Sequence, residues 1–123
     1  MEDRRKYPRI VTSLPVKLAD SDYDILTETK NVSASGVYCC INKPIEPMTK
    51  LNIVLLVPIK KNTKKDVKKI NCQGVVVRNI YVKDNGNSAY HIGIFFNDIT
   101  DRDKKTLSSY LHPLRSEKKS RKK

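Results

Sequence analysis

The sequence predicts a mostly-β domain with one C-terminal helix, its five or six short antiparallel strands closed or nearly closed into a barrel. Three observations carry that reading. The chain has 123 residues, enough for one modest core and too few for two. Residues 89–96 alternate apolar side chains with small or polar ones, the mark of a half-buried strand, and strand-like runs recur upstream. The single helical periodicity comes last, where Leu107, Tyr110, Leu111 and Leu114 follow at steps of three, one and three.

Taken in order, residues 16–18 open the sheet, and 23–30 and 37–41 have strand-like composition with weaker periodicity. Residues 51–57 form a further apolar run, closed by Pro58. Residues 70–82 are rich in β-branched side chains. They join 89–96 through Asp84-Asn85-Gly86-Asn87, where Asn-Gly suits a primed turn. In that last strand Tyr90, Ile92, Ile94 and Phe96 face one side and Ala89, His91 and Gly93 the other. Strands this short cannot leave long naked edges, which favours closure. Thr100 and Asp103 have capping-box spacing and start a helix over 100–112, whose apolar stripe is expected on the open end of the barrel. Residues 1–114 then form one domain with a basic arm at 1–9. Beyond Pro113, residues 115–123 have no apolar side chain to bury and are expected to be disordered.

The charge is localised. Lys and Arg number 25 against 13 Asp and Glu, a net +12. Residues 1–9, 60–69 and 115–123 carry +2, +5 and +5 of it, so the body between them is near neutral. A neutral body with basic appendages suits an anionic partner better than a uniform nucleic-acid coat. The longest apolar run, 53–57, is far short of a bilayer span, and the N-terminus is charged, so neither a membrane span nor a secretory signal is expected. Three cysteines, of which Cys39 and Cys40 are adjacent, fit a reducing cytoplasmic setting. The two histidines, His91 and His112, stand in no metal-ligand spacing, and the Asp20, Asp22, Asp24 series lacks the glycine and glutamate of a calcium loop. No metal or cofactor is expected. Without a nucleophile, histidine and acid constellation, neither is an enzyme.

Two segments do not read as packing. Arg4-Arg5-Lys6-Tyr7-Pro8-Arg9 is an extended basic arm before the first strand. Asn31-Val32-Ser33-Ala34-Ser35-Gly36 lies between two strands, with short polar side chains and a glycine suited to a backbone conformation closed to other residues. At these positions the chain resembles the PilZ domain family, marked by an RxxxR arm and a later [D/N]xSxxG. Arg5 and Arg9 fill the first motif, and Asn31, Ser33 and Gly36 the second. Residues 73–78 and 90–96 are also similar to the family, extending the resemblance over about 4–112. Phe95, where the family more often has a polar side chain, and the lysine-rich insertion at 60–69 depart from it.

The resemblance implies a six-stranded antiparallel barrel with a C-terminal helix that binds the bacterial second messenger cyclic di-GMP and relays it to a downstream protein controlling motility, surface polysaccharide or virulence. Arg5 and Arg9 each supply a guanidinium fork for a guanine O6/N7 edge, a base face or a phosphate. Asn31 can donate and accept at a base edge, and Ser33 can bridge to a base or phosphate. Lys6 and Arg4 add field. Arg4 also stands where it would bear on whether the ligand binds singly or as a stacked pair, and both stoichiometries stay open. A like-charged arm is expected to be mobile until an anionic ligand closes it over the barrel.

Each feature also has a plainer reading. A terminal Arg/Lys cluster alone is a solvated tail, and the Asn31 to Gly36 stretch alone is an ordinary turn; only their coincidence favours ligand binding. The basic loop and tail are solvated surface unless they dock on nucleic acid, an anionic membrane or an acidic protein. The alternative function is therefore a small basic β-barrel that binds RNA or DNA. Having no Trp, two Phe and six scattered Tyr for base stacking disfavours it.

Overall fold

A computed structural model describes residues 9–61, 64–84 and 87–120. Seven strands and one helix follow in chain order: β1 (Ile10–Val11), β2 (Pro15–Ala19), β3 (Asp24–Ser33), β4 (Gly36–Ile41), β5 (Lys50–Lys61), β6 (Lys64–Asp84), β7 (Asn87–Asp98) and α1 (Asp101–Ser120). Every strand pairing is antiparallel, in the order β1-β3-β2-β5-β6-β7-β4. A further β3–β4 pairing joins the two ends, so six strands close into a ring and β1 lies outside it on β3. The mostly-β class and the single C-terminal helix are as the sequence predicts.

The alternation in the last strand holds. Ile92, Ile94 and Phe96 are buried, and Tyr90 packs against the same core. Leu14, Leu18, Val32, Ile53, Leu55 and Ile70 supply much of the rest, each nearly inaccessible to solvent. At about 25 cal/mol per Å² of apolar surface, burying side chains of this size contributes roughly 1.5–3 kcal/mol apiece. The weak periodicity of 23–30 has a polar cause. Thr29 faces inward, 3 % exposed. Its Oγ1 accepts from the Leu14 N–H at 2.9 Å and donates to the Thr12 carbonyl at 2.7 Å, so no buried polar atom is left unpaired. These bonds hold the β1–β2 connection against β3. The aspartate series is a turn: Asp20 Oδ1 accepts from the Asp22 and Tyr23 N–H groups at 2.7 and 2.8 Å between β2 and β3.

Several expectations are corrected. The sheet opens at Ile10, not at Val16, because β1 pairs Ile10 with Val32 and Val11 with Asn31. Two residues carry no periodicity, so that strand exists only through its partner. In the lysine-rich stretch, residues 60–61 continue β5 and residues 64–69 belong to β6 rather than to a loop, in register from Leu56↔Lys69 to Lys61↔Lys64, while residues 62–63 lie outside the described residues. Pro58 does not close β5. Pairing with β2 ends at Leu55, so among the described residues the proline sits where one side of β5 has no strand partner, the edge setting in which a strand proline is tolerated. The helix does not stop at 112, nor is 115–123 wholly without structure, since α1 passes through Pro113 to Ser120. Arg115, Glu117, Lys118 and Lys119 are good helix formers, which offsets the one hydrogen bond that proline removes. The Asn85-Gly86 turn and residues 121–123 lie outside the described residues.

The capping reading holds, with the Asp103 N–H donating to Thr100 Oγ1 at 3.1 Å. Leu107 and Leu111 are buried, Tyr110 and Leu114 pack beside them, and α1 rests on β1, β3 and β5. The Tyr110 and Thr12 hydroxyls meet at 2.8 Å, tying the helix to the β1–β2 connection.

Burial pushes the thiols of Cys39 and Cys72 from 9.0 up to about 12, with Cys40 adding to the first rise and Asp103 and Asp98 to the second. Raised folded values mean that both groups stabilise the fold below pH 9.0 and that this contribution is lost as the pH climbs from there towards about 12. At neutral pH, iodoacetamide is expected to modify the half-buried Cys40 first, and Cys39 and Cys72 only after denaturant is added. Peptide mapping that found Cys39 alkylated in the native protein as fast as Cys40 would contradict this burial.

Candidate functional site

The strand register brings Arg9, the described end of the first singled-out segment, to the second. Continuing the β1 register by one residue sets Arg9 across from Ser33. On the other edge of β3, Asn31 pairs with Tyr38 and Ser33 with Gly36, so residues 33–36 form a two-residue hairpin turn. β3 has a bulge between Thr29 and Asn31, where Lys30 is the extra residue, and the bulge resets the facing of Asn31 after the inward Thr29. Arg9, Asn31, Ser33 and Gly36 then line one cleft of about 190 Å³ at the end of the ring. Arg4 and Arg5 lie outside the described residues.

Ser33 is 4 % exposed, and its Oγ meets the Ser35 Oγ at 3.0 Å and accepts the Ser35 N–H at 3.1 Å. The Ser35 carbonyl accepts the Phe96 N–H at 2.8 Å, which pins the turn to β7. Gly36 is needed for space, not for the backbone conformation the sequence suggests. A Cβ there would collide with the Ile94 carbonyl oxygen. The glycine therefore lets β4 begin hard against β7.

Ser35, Tyr38, Val77 and Arg78 are among the cleft residues that the sequence did not assign to a site. Tyr38, Gly93 and Arg78 lie in one row across β4, β7 and β6. The row is low in the middle, because a Cβ at Gly93 would stand 3.5 Å from the Arg78 Cβ and 3.7 Å from the Tyr38 ring. A β6 bulge between Val76 and Arg78 makes Val77 the extra residue. Val77 and Phe95 are 58 % and 51 % exposed, so the cleft has an apolar shoulder beside its polar floor. His91 is half-buried with its ring edge-on to Tyr38 at 5.8 Å and 87°. The only signal for Arg78 was its place in the 73–78 stretch similar to the family; three successive valines hid the bulge.

Chemically, the described residues of the cleft offer two guanidinium groups, one amide, two hydroxyls and a phenol, and no carboxylate is among them. Its volume is below the roughly 300–1,000 Å³ of enclosed small-molecule sites, so a ligand of dinucleotide size would lie across it. Among the described residues no group of three or more His, Cys, Asp or Glu is placed to hold a metal, and no helix is long and apolar enough to cross a membrane.

A family model for the PilZ domain matches residues 3–112. No curated protein matches the chain. Among solved structures, the Bacillus subtilis inhibitor of motility MotI/DgrA superposes with a TM-score of 0.76 at 18% identity, over 99% of this chain and 55% of its own. The K. pneumonia MrkH complex with c-di-GMP gives 0.74 at 21% identity, over 98% of this chain and 57% of its own. The PilZ domain of Escherichia coli YcgR with c-di-GMP gives 0.65 at 14% identity, over 98% of this chain and all of its own. The chain thus spans little more than half the length of the MotI and MrkH chains. At these identities the likeness is one of fold. Matched by the family model over most of its length, and folded as these structures are, the chain belongs to the PilZ domain family.

Proposed function

We propose that this chain is a non-catalytic receptor for cyclic di-GMP, in which residues 1–114 act as one PilZ unit and the ligand bridges the basic arm to the β3–β4 turn. The observation that carries the reading is the meeting of Arg9 with Asn31, Ser33 and Gly36 around one cleft with no acid among its described lining residues, although Arg9 and residues 31–36 are far apart in sequence. Two structures of similar fold were solved with c-di-GMP, which supports the same ligand class here.

The residues divide the work by chemistry. Guanidinium groups of Arg9 and the arm residues Arg4 and Arg5 take guanine edges or phosphates, and the Asn31 amide reads a base edge. Ser33 already accepts the Ser35 N–H, so its role is to hold the turn and to offer its remaining hydrogen-bonding capacity to the ligand. The two cleft hydroxyls bond each other rather than a histidine or carboxylate, which supports binding without chemistry. Neutralising the arm on the barrel changes the surface that a downstream protein sees.

Isothermal titration with cyclic di-GMP tests this. Binding is expected for the wild type, weakened about fivefold by Ser33→Ala through loss of a hydrogen bond worth about 1 kcal/mol. Arm residues are expected to gain amide-exchange protection on ligand addition. Binding that survives simultaneous loss of Arg5 and Arg9 would refute the bridging role of the arm and argue for the nucleic-acid alternative, and no binding by the wild type would refute the receptor reading.

A further inference from the structure

A second, larger concavity lies away from the nucleotide cleft and shares no lining residue with it. It is a groove of about 1230 Å³ between α1 and the extended part of the β5–β6 ribbon. Its apolar lining is supplied by Pro58 and Ile59 from β5 and by Tyr110, Pro113 and Leu114 from α1. Among the described residues its charged lining is strongly one-sided: Lys65 and Lys68 on the ribbon and Arg102 and Lys105 on the helix, against Asp101. The cations stand on both walls.

We propose that this groove docks an acidic peptide segment of a partner protein, extended in form and carrying apolar side chains. Charge complementarity sets the sign of the occupant, since four cations facing one carboxylate across a shared groove repel one another until an anion enters. The apolar lining sets the rest. Phosphate-rich nucleic acid gains nothing from Ile59 or Leu114, and the groove's aromatic ring, Tyr110, has its hydroxyl occupied by Thr12 rather than free to meet a base edge. A membrane surface wants a convex or flat face, whereas these residues lie between two walls.

Backbone chemistry favours a polypeptide over other anionic amphiphiles. Beyond Leu55, β5 has no strand partner on the side away from β6 among the described residues, so part of the groove's own wall is a sheet edge. On the opposite wall Pro113 has no N–H to give the Ser109 carbonyl, and both residues line the groove. A peptide supplies backbone donors and acceptors for such positions; a fatty chain does not. The ribbon that makes the groove is the lysine-rich segment that the sequence presents as a departure from the family. The inference does not depend on cyclic di-GMP binding.

Selection from a displayed random-peptide library on the full chain tests it. Enriched peptides are expected to combine Asp or Glu with Leu, Ile or Phe. Synthetic copies are expected to lose at least tenfold in affinity to Ser109→Trp, which fills the groove from an exposed helix position, and to Lys65→Glu/Lys105→Glu, which reverses one charge on each wall. A copy with Lys in place of its acidic residues is expected to recover binding to the charge-reversed variant. All variants are expected to titrate cyclic di-GMP as the wild type does, which separates failure here from failure of the receptor reading. No enrichment of acidic, apolar peptides, or enrichment indifferent to Ser109→Trp, overturns the proposal. So does tighter binding of a DNA duplex or of phosphatidylglycerol vesicles that Ser109→Trp abolishes.

Discussion

Gly36→Ala is expected to destabilise the fold by roughly 1–3 kcal/mol, the usual cost of forcing an extra methyl into a packed site, and to abolish cyclic di-GMP binding with it. The methyl would meet the Ile94 carbonyl oxygen and crowd the Phe95 Cα at 3.3 Å. Both are backbone atoms of β7, so no side-chain rotation relieves the clash. The start of β4 must lift instead, breaking the register of Gly36 with Phe95 and the bond from the Phe96 N–H to the Ser35 carbonyl. The Ser33–Gly36 turn is then no longer held against β7, and Asn31 and Ser33 leave their positions opposite β1. Ser35→Ala is the control. It removes one hydroxyl and keeps the backbone carbonyl, so urea unfolding should shift little. A Gly36→Ala protein whose urea midpoint and ligand titration both match the wild type would show that the turn does not depend on this close approach.

That glycine also shows what a sequence hides. Its presence in a short polar turn was legible, but the reason for it lies on a strand more than fifty residues away, and nothing local distinguishes a glycine chosen for space from one chosen for positive φ. The alternating strand at 89–96 and the Leu107, Tyr110, Leu111 stripe were legible because each is a local pattern imposed by one buried face. β1 and the inward Thr29 were not. A two-residue strand has no period, and a buried threonine reads as polar surface until its partners at Thr12 and Leu14 are known. The lysine ribbon misled for a related reason. Charge density and Pro58 argue for a loop when read along the chain, yet cross-strand pairing continues through both because one edge of β5 is open. In the cleft, Arg9, Asn31, Ser33 and Gly36 were legible as a motif, whereas Tyr38 and Arg78 enter only through the register of three strands.

Arg78 supplies the sharpest test of whether that register matters to binding. Arg9→Ala and Arg78→Ala are each expected to weaken cyclic di-GMP binding roughly tenfold to a hundredfold, the equivalent of about 1–3 kcal/mol for a paired guanidinium contact. Both side chains are exposed at the cleft and neither belongs to the core, so unfolding midpoints should stay within about 0.5 kcal/mol of the wild type. Lysine substitutions separate the roles. If an arginine contributes mainly field against the phosphates, Lys restores most of the affinity and the remaining binding falls steeply with salt; if it forms a planar fork on guanine, Lys restores little. Arg9 stands just before β1 and Arg78 on β6, on different sides of the cleft, so one ligand spanning it should make their losses additive in the double variant. Titration in which Arg78→Ala binds as the wild type does would confine the site to the arm and the β3–β4 turn, and would leave the row of Tyr38, Gly93 and Arg78 as surface.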